Sequence, residues 1–591
     1  MKSDGVSQIP TSQIRREADR YWKDNQYNEV EHRGVGTGVL GLDSFPINGT
    51  TAPRLFAEQV KIERLAKAGY GLSPYRIQYW MEERDPLMKI AARNGFPKRI
   101  RHWLWGQAYQ ELSMKQDFGH MQIGELVINT DPTHAYLLDE LAFYEQRLIM
   151  AHVTGHSDFF KNNVNFRDTD RNMLNHMADH FHAVEDMLDR GVMTPDELEK
   201  FLDKVKTFEN CIDMGAFKPR PLDMSARHIK DPPPIPNDFG KVSTEHLHPD
   251  VLRLLNAPER VAEARDQEKQ RLREEMVKVP KHPDPDLLGF LIEHSTVLTP
   301  WQRDVLAMVR DESYYFSPQR KTKIMNEGWA TYWHGQLLKD PELRDPEHRI
   351  GLTHHQGQLT HMSSVTANPY TIGLEIFKNI KKRWDKGQFG PEYEESRERN
   401  KEETWDTHAI QGEQKIFEVR KMYGDISFIN SFLTPESVRE LKIYTWSAGQ
   451  NPEPGAPIVI SSREVDDIRK NLSAAISNGG TPFIQVLNGD FGSKGELLVE
   501  HVHEYDLRPD WADEVLKNIK AIWGRPVNLF TYVSENDAHG NVLQSTKKRM
   551  WIKVFDGEHG GIAKNDHIAR RIISEDGKVL YDCDSKGEKI R

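Results

Sequence analysis

Two histidines four residues apart in a strongly apolar stretch constrain this chain more than any other feature. His152 and His156 stand among Leu148, Ile149, Met150, Ala151, Val153, Phe159 and Phe160. The pattern predicts a buried helix through Glu145 and His156, ended near Lys161-Asn162-Asn163. Four residues span about one helical turn, so both imidazoles share a face, as two ligands of one metal ion must. A second stretch sets Glu327 among Ile324, Met325, Trp329, Ala330, Tyr332 and Trp333. A carboxylate in such company needs a counter-charge or a metal. His152, His156 and Glu327 are therefore the predicted ligands, and two imidazoles with a carboxylate suit zinc or a similar divalent ion.

Together these stretches resemble the gluzincin layout, His-x-x-x-His on one helix and an Asn-Glu-Gly acid on a later one. The glutamate that follows the first histidine in that layout is the general base; here the position is Val153. A closer resemblance is to the SpoVR (stage V sporulation protein R) family. It is carried by Ala151 to Asn163, by Thr322 to Ala330 with Tyr332, Trp333 and His334, and by Asn368-Pro369-Tyr370 with Gly373. Lys415 to Arg420 and Asp425 to Phe428 extend it, so that the likeness runs over residues 60–550. The resemblance implies a link to spore cortex or cell-envelope physiology. Through gene neighbourhood it also implies a serine protein kinase and a von Willebrand-type protein as partners. It brings no reaction with it.

The rest of the composition narrows the class. No run of eighteen apolar residues exists to span a membrane, and Met1 to Gly5 has no apolar core of a secretory signal after it. Two cysteines, Cys211 and Cys583, are too few for a disulfide framework. A cytoplasmic location is the expectation. A net charge of −11 argues against duplex DNA as a partner, and the basic run Lys378 to Arg383 reads as a solvated helix face.

Residues 1–55 are polar and glycine-rich and read as a flexible arm. Residues 56–424 carry helical periodicity and form the expected metal domain, interrupted by a Pro-rich linker at 218–240 and a charged helix at 258–277. Near Asp425 the pattern changes. Strand, helix, two strands, helix and two further strand segments follow, in an order that reads as β-α-β-β-α-β, ferredoxin-like, with a hairpin tail turning at Asp576-Gly577. The expected architecture is thus a mainly α-helical, gluzincin-like domain followed by a smaller α+β domain over 425–591. His501 and His503 alternate along a strand that reads as exposed.

With Val153 unable to act as a base, Glu145, Asp158, His180 and His361 are the catalytic candidates. His176 repeats the helical spacing with His180, and Glu375 joins His361 as a residue that would line a cleft. Glu145 precedes His152 by seven residues, as Glu327 precedes His334. That repeat raises a second class of reading, a two-metal helical site, although such sites use Glu-x-x-His. A third class is a non-catalytic scaffold that keeps a metal for stability. The favoured reading is a metal-dependent hydrolase of an amide or peptide-type bond.

Overall fold

The computed structural model describes residues 51–117, 123–222, 280–343, 368–398, 405–448, 458–536, 542–556 and 566–590. His361, the charged helix at 258–277, residues 1–50 of the expected arm and the linker from 223 onward lie outside them. Thr51–Arg64 is helical, so helix begins inside the segment expected to be an arm. Among the described residues no helix is long and apolar enough to cross a membrane. The chain forms two compact units, 1–199 with 312–481 and 200–311 with 482–591. The units divide at other points than the pattern change near Asp425.

The first unit is helical around a small sheet. Strands β1 (Ile77–Glu82), β2 (Glu125–Ile128) and β3 (Thr133–Leu138) are ordered β1-β3-β2, with β1 parallel and β2 antiparallel to β3. Alternate residues share a sheet face. Tyr79 and Met81 pair with Ala135 and Leu137, which pair in turn with Val127 and Glu125. This face meets helix α1 (Phe143–Asn162), where Tyr79 Oη donates to Met150 O at 3.2 Å. The register therefore turns one acid, Glu125, from an edge strand toward the helix.

Residues 146–160 of α1 are buried without a break. A helix buried all round must pair each polar group it carries. Arg147 Nε donates to Glu58 at 2.9 Å, Thr154 Oγ1 to Met150 O at 2.8 Å, and Ser157 shares a 2.9 Å bond with Thr133. Helices α2 (Lys323–Leu337) and α3 (Pro369–Asp385) stack behind it. Glycine permits the approach: a Cβ on Gly155 would lie 2.6 Å from Ala330 Cα, and one on Gly328 2.3 Å from the Gly373 carbonyl carbon. The first strand and helix expected of the ferredoxin-like domain also belong to this unit. Strand β5 (Ile458–Ser462) pairs with β4 (Thr445–Ala448), and helix Val465–Ile476 follows.

The second unit holds a six-stranded sheet of β6 (Ile484–Phe491), β7 (Glu496–His501), β8 (Val527–Asn536), β9 (Val542–Asp556), β10 (Asp566–Ile573) and β11 (Val579–Asp582). Neighbours in the chain are neighbours in the sheet. Only β7 and β8 run parallel, joined through helix α4 (Pro509–Trp523). This sequential order replaces the expected split βαβ. Hydrophobic period shows which face of an element is buried, not which element covers it. The tail hairpin forms as expected, with Gly577 at φ 85° in its turn.

Candidate metal centre

Helix α1 delivers His152 and His156 with ring centres 4.5 Å apart. Glu327 reaches them from α2, its Oε2 standing 3.5 Å from His152 Nε2 and 3.4 Å from His156 Nε2. Glu125 reaches them from β2, with Oε1 3.7 Å from His152 Nε2. Ligand atoms of Glu125, His152 and His156 all lie within 4.8 Å of one another. The predicted ligands are thus brought together, and an acid that the sequence reading missed joins them. An isolated carboxylate opening the apolar run Leu126-Val127-Ile128 was the available signal.

The outer nitrogens are held and the inner ones are not. His156 Nδ1 lies 2.9 Å from Asn326 Oδ1, an acceptor, so Nδ1 carries the proton and Nε2 offers its lone pair inward. His152 Nδ1 lies 3.0 Å from His334 Nδ1. His152 Nε2 and Glu327 Oε2 are both buried without a hydrogen-bond partner. Leaving such atoms unpaired is costly, and their convergence fits a divalent cation with imidazole and carboxylate ligands. Tyr370, at the start of α3, stacks on His152 at 5.9 Å between ring centres and hydrogen-bonds Glu327, whose charge holds the phenol well above its usual range.

Electrostatics inside the site are divided. Burial pushes His156 down to about 4, so it stays neutral. Burial opposes protonation of His152 too, but Glu125 and Glu327 outweigh it and raise that imidazole. Burial lifts Glu125 to about 7, whereas for Glu327 it is outweighed by the two imidazoles, which hold the carboxyl below its usual range. Metal binding to such a site releases protons, because imidazole and carboxylate ligands bind deprotonated.

The other predicted site residues stand elsewhere. Glu145 sits in the first turn of α1, and its Oε2 accepts from Ala142 N at 2.9 Å as a helix cap. Asp158 is fully buried and spoken for: it accepts from Ser73 N at 2.7 Å and Trp329 Nε1 at 2.8 Å and pairs with Arg420 at 3.1 Å. His180 faces Glu312 at 3.7 Å, and Glu312 is bound by Arg99 at 2.8 Å. His176 is tied to Asp170. Glu375 shares a hydrogen bond with Glu440, and burial with that neighbour raises it to about 7. Of the residues that a second ion would recruit, Glu145 caps its helix and His334 supports His152.

The family model described as SpoVR like protein matches residues 50–481. An Escherichia coli (strain K12) protein, Uncharacterized protein YcgB, is 28% identical over 494 residues, covering 79% of this chain and 90% of that one. No solved structure matches the chain.

Proposed function

The chain belongs to the SpoVR family, and from that premise we propose that its first unit is a metal-dependent hydrolase of an amide or peptide-type bond. The observation that carries the reading is the convergence of His152 Nε2, His156 Nε2, Glu327 Oε2 and Glu125, with His152 Nε2 and Glu327 Oε2 both buried and without a hydrogen bond. His152, His156 and Glu327 would hold the ion, with zinc the first choice for that donor set. The ion would supply Lewis acidity to polarise a carbonyl.

The chain's own residues do the rest. Asn326 keeps the His156 proton on Nδ1, and the His334 contact holds the His152 ring in orientation. Tyr370 keeps its proton on Oη and donates to Glu327, fixing that carboxylate. Glu125 takes the role that Val153 cannot fill. Its side chain is 20% exposed, so water reaches it at the edge of the site. Its Oε1 would accept a proton from attacking water and return one to the leaving amine. By family association the substrate would belong to the spore cortex or cell envelope.

A second reading rests on the same residue. Glu125, His152 and His156 already form a compact ligand group; with Glu327 as fourth ligand the site closes and becomes structural, as in a scaffold. Glu125→Gln separates the two. In a hydrolase the variant keeps about one equivalent of zinc and loses on the order of a hundredfold in turnover on a panel of peptides and muropeptides. Loss of the metal with the substitution assigns Glu125 as a ligand and the site as structural.

A further inference from the structure

Strand β7 leads into a further cluster of titratable side chains, in the second unit and beyond the stretch that the family model matches. Ser534 on β8 stands opposite Lys547 on β9. Asp506, in the connection after β7, is tied to the same place. Its Oδ2 accepts from Ser534 N at 2.9 Å and its Oδ1 from Ser534 Oγ at 3.1 Å. Anchoring Asp506 there brings His503 with it. His503 Nε2 lies 2.9 Å from Asp506 Oδ1, and His503 Nδ1 lies 3.0 Å from Lys547 Nζ.

These groups admit one arrangement of protons. Burial alone would raise Asp506, but bonds from His503 and Ser534 hold its carboxyl below the ordinary range, so it is ionised and only accepts. Nε2 therefore carries the imidazole proton, and Nδ1 turns its lone pair to Lys547, whose ammonium only donates. A carboxylate that orients an imidazole, and an imidazole that faces a nucleophile, is the order of a catalytic triad. Exposure follows the same order. The His503 side chain is 6% exposed, with the rings of His501 and Tyr532 centred 5.6 and 5.8 Å from its own. Lys547 is exposed. The base is shielded, and the amine is open to a reagent. Lys553, further along the same strand, meets a carboxylate instead, Glu496 at 2.8 Å. That contact fastens strands; the one at Lys547 offers a proton acceptor.

We propose that Lys547 is an acyl-acceptor site for an activated acyl donor, an acyl phosphate or an acyl thioester, with His503 as general base and Asp506 as the positioning residue. As the free amine, Nζ keeps one N–H on Nδ1 and directs its lone pair to the acyl carbon. The Nζ–C bond forms, the C–O or C–S bond breaks, and phosphate or thiolate leaves with the electron pair. The Nζ proton passes to Nδ1, and the imidazolium, balanced by Asp506, returns it to water. The product is an amide, and the positive charge of Lys547 is gone. The site uses none of the residues of the metal centre.

Site-resolved mass spectrometry of the full chain, sampled over time with acetyl phosphate and separately with acetyl coenzyme A, tests it. Lys494 and Lys586, exposed lysines of the same unit, are the references. Lys547 is expected to be acetylated about tenfold or more faster than both, and the donor with the larger advantage identifies the class. His503→Gln removes the base and should bring Lys547 to the reference rate, with Lys494 and Lys586 unchanged. Should that variant fail to fold, Asp506→Asn, which removes the charge that sets the tautomer, carries the same expectation. Equal rates at Lys547 and the references with both donors in the wild-type chain, or an undiminished advantage in the folded variant, would overturn the proposal.

Discussion

His152 and His156 in the first unit stand with ring centres 4.5 Å apart; His501 and His503 in the second stand 5.6 Å apart. The two pairs are close in separation and opposite in chemistry. His503 is engaged at both nitrogens, by Asp506 at 2.9 Å and by the Lys547 ammonium at 3.0 Å, and that ammonium repels any cation. His501 is buried, against the expectation of an exposed strand, and shares a 2.9 Å bond with Thr531. In the first pair only the outer nitrogens are held, and the inner ones face two carboxylates. Proximity of imidazoles is common to both. Which nitrogen is already spoken for, and which charges share the space, separates a ligand set from a packed pair.

The most drastic way to break the comparison is to remove one pair at a time. His152→Ala or His156→Ala should take tag-free protein from about one equivalent of divalent metal to none, whereas the double change His501→Ala, His503→Ala should leave it intact. Elemental analysis reads both, and full metal retention in the first two variants would sink the metal centre. A subtler break leaves every ligand in place. Gly328→Ala would force a Cβ against the Gly373 backbone, 2.3 Å away. Parting α2 from α3 should cost about 3 kcal/mol in urea unfolding and lower metal content; wild-type values for both would show that the close approach is dispensable.

Acid should distinguish the pairs in protein stripped of metal by a chelator. Burial, with His503 adding to it, pushes His501 down to about 4 from an ordinary 6.5. The unfolded chain therefore takes up the proton first as pH falls. The stability is present in full above about pH 6.5 and drains toward pH 4, by about 2 kcal/mol between pH 7 and pH 5. His156 shifts in the same direction, to about 4. Beside it Glu125, raised to about 7 from 4.5, stabilises the folded state most at low pH and loses that contribution as pH rises through about 7. The two partly cancel. Hydrogen exchange should thus show β7 losing protection at pH 5 faster than α1, and His501→Gln should flatten the difference. Equal losses in the two elements would refute it.

The smallest effect sharpens how the first site is held. Both carboxylate oxygens of Asp425 accept from the start of α2, at Ile324 N and Met325 N, 2.8 and 2.9 Å away. Asp425→Ala should cost about 1 kcal/mol, visible as a lower midpoint in denaturant with metal content preserved. A midpoint equal to wild type would mean that water replaces the cap.

Much of this molecule was legible along the chain. The apolar stretch marked a helix through Glu145 and His156 ending near Lys161 to Asn163, where α1 runs from Phe143 to Asn162, and spacing put His152 and His156 on one face of it. An acid among tryptophans marked Glu327, and turn chemistry marked the tail hairpin at Gly577. These are local facts, because helix geometry and the cost of burying charge act within a few residues. Pairing is not local. Glu125 enters the site only because β2 pairs with β3 in the register that turns its side chain toward α1. Glu145 and Asp158 were both candidate bases along the chain; only the packed structure shows that Asp158 meets Arg420 and Trp329 and that Glu145 meets Ala142. The strand read at 456–461 looked like the first of a ferredoxin-like sheet, yet the strand observed at 458–462 pairs with 445–448 in the other unit. Sequence determined which side chains needed partners; tertiary structure decided which partners they met, because a buried polar group is satisfied by whatever the packed chain brings within about 3 Å.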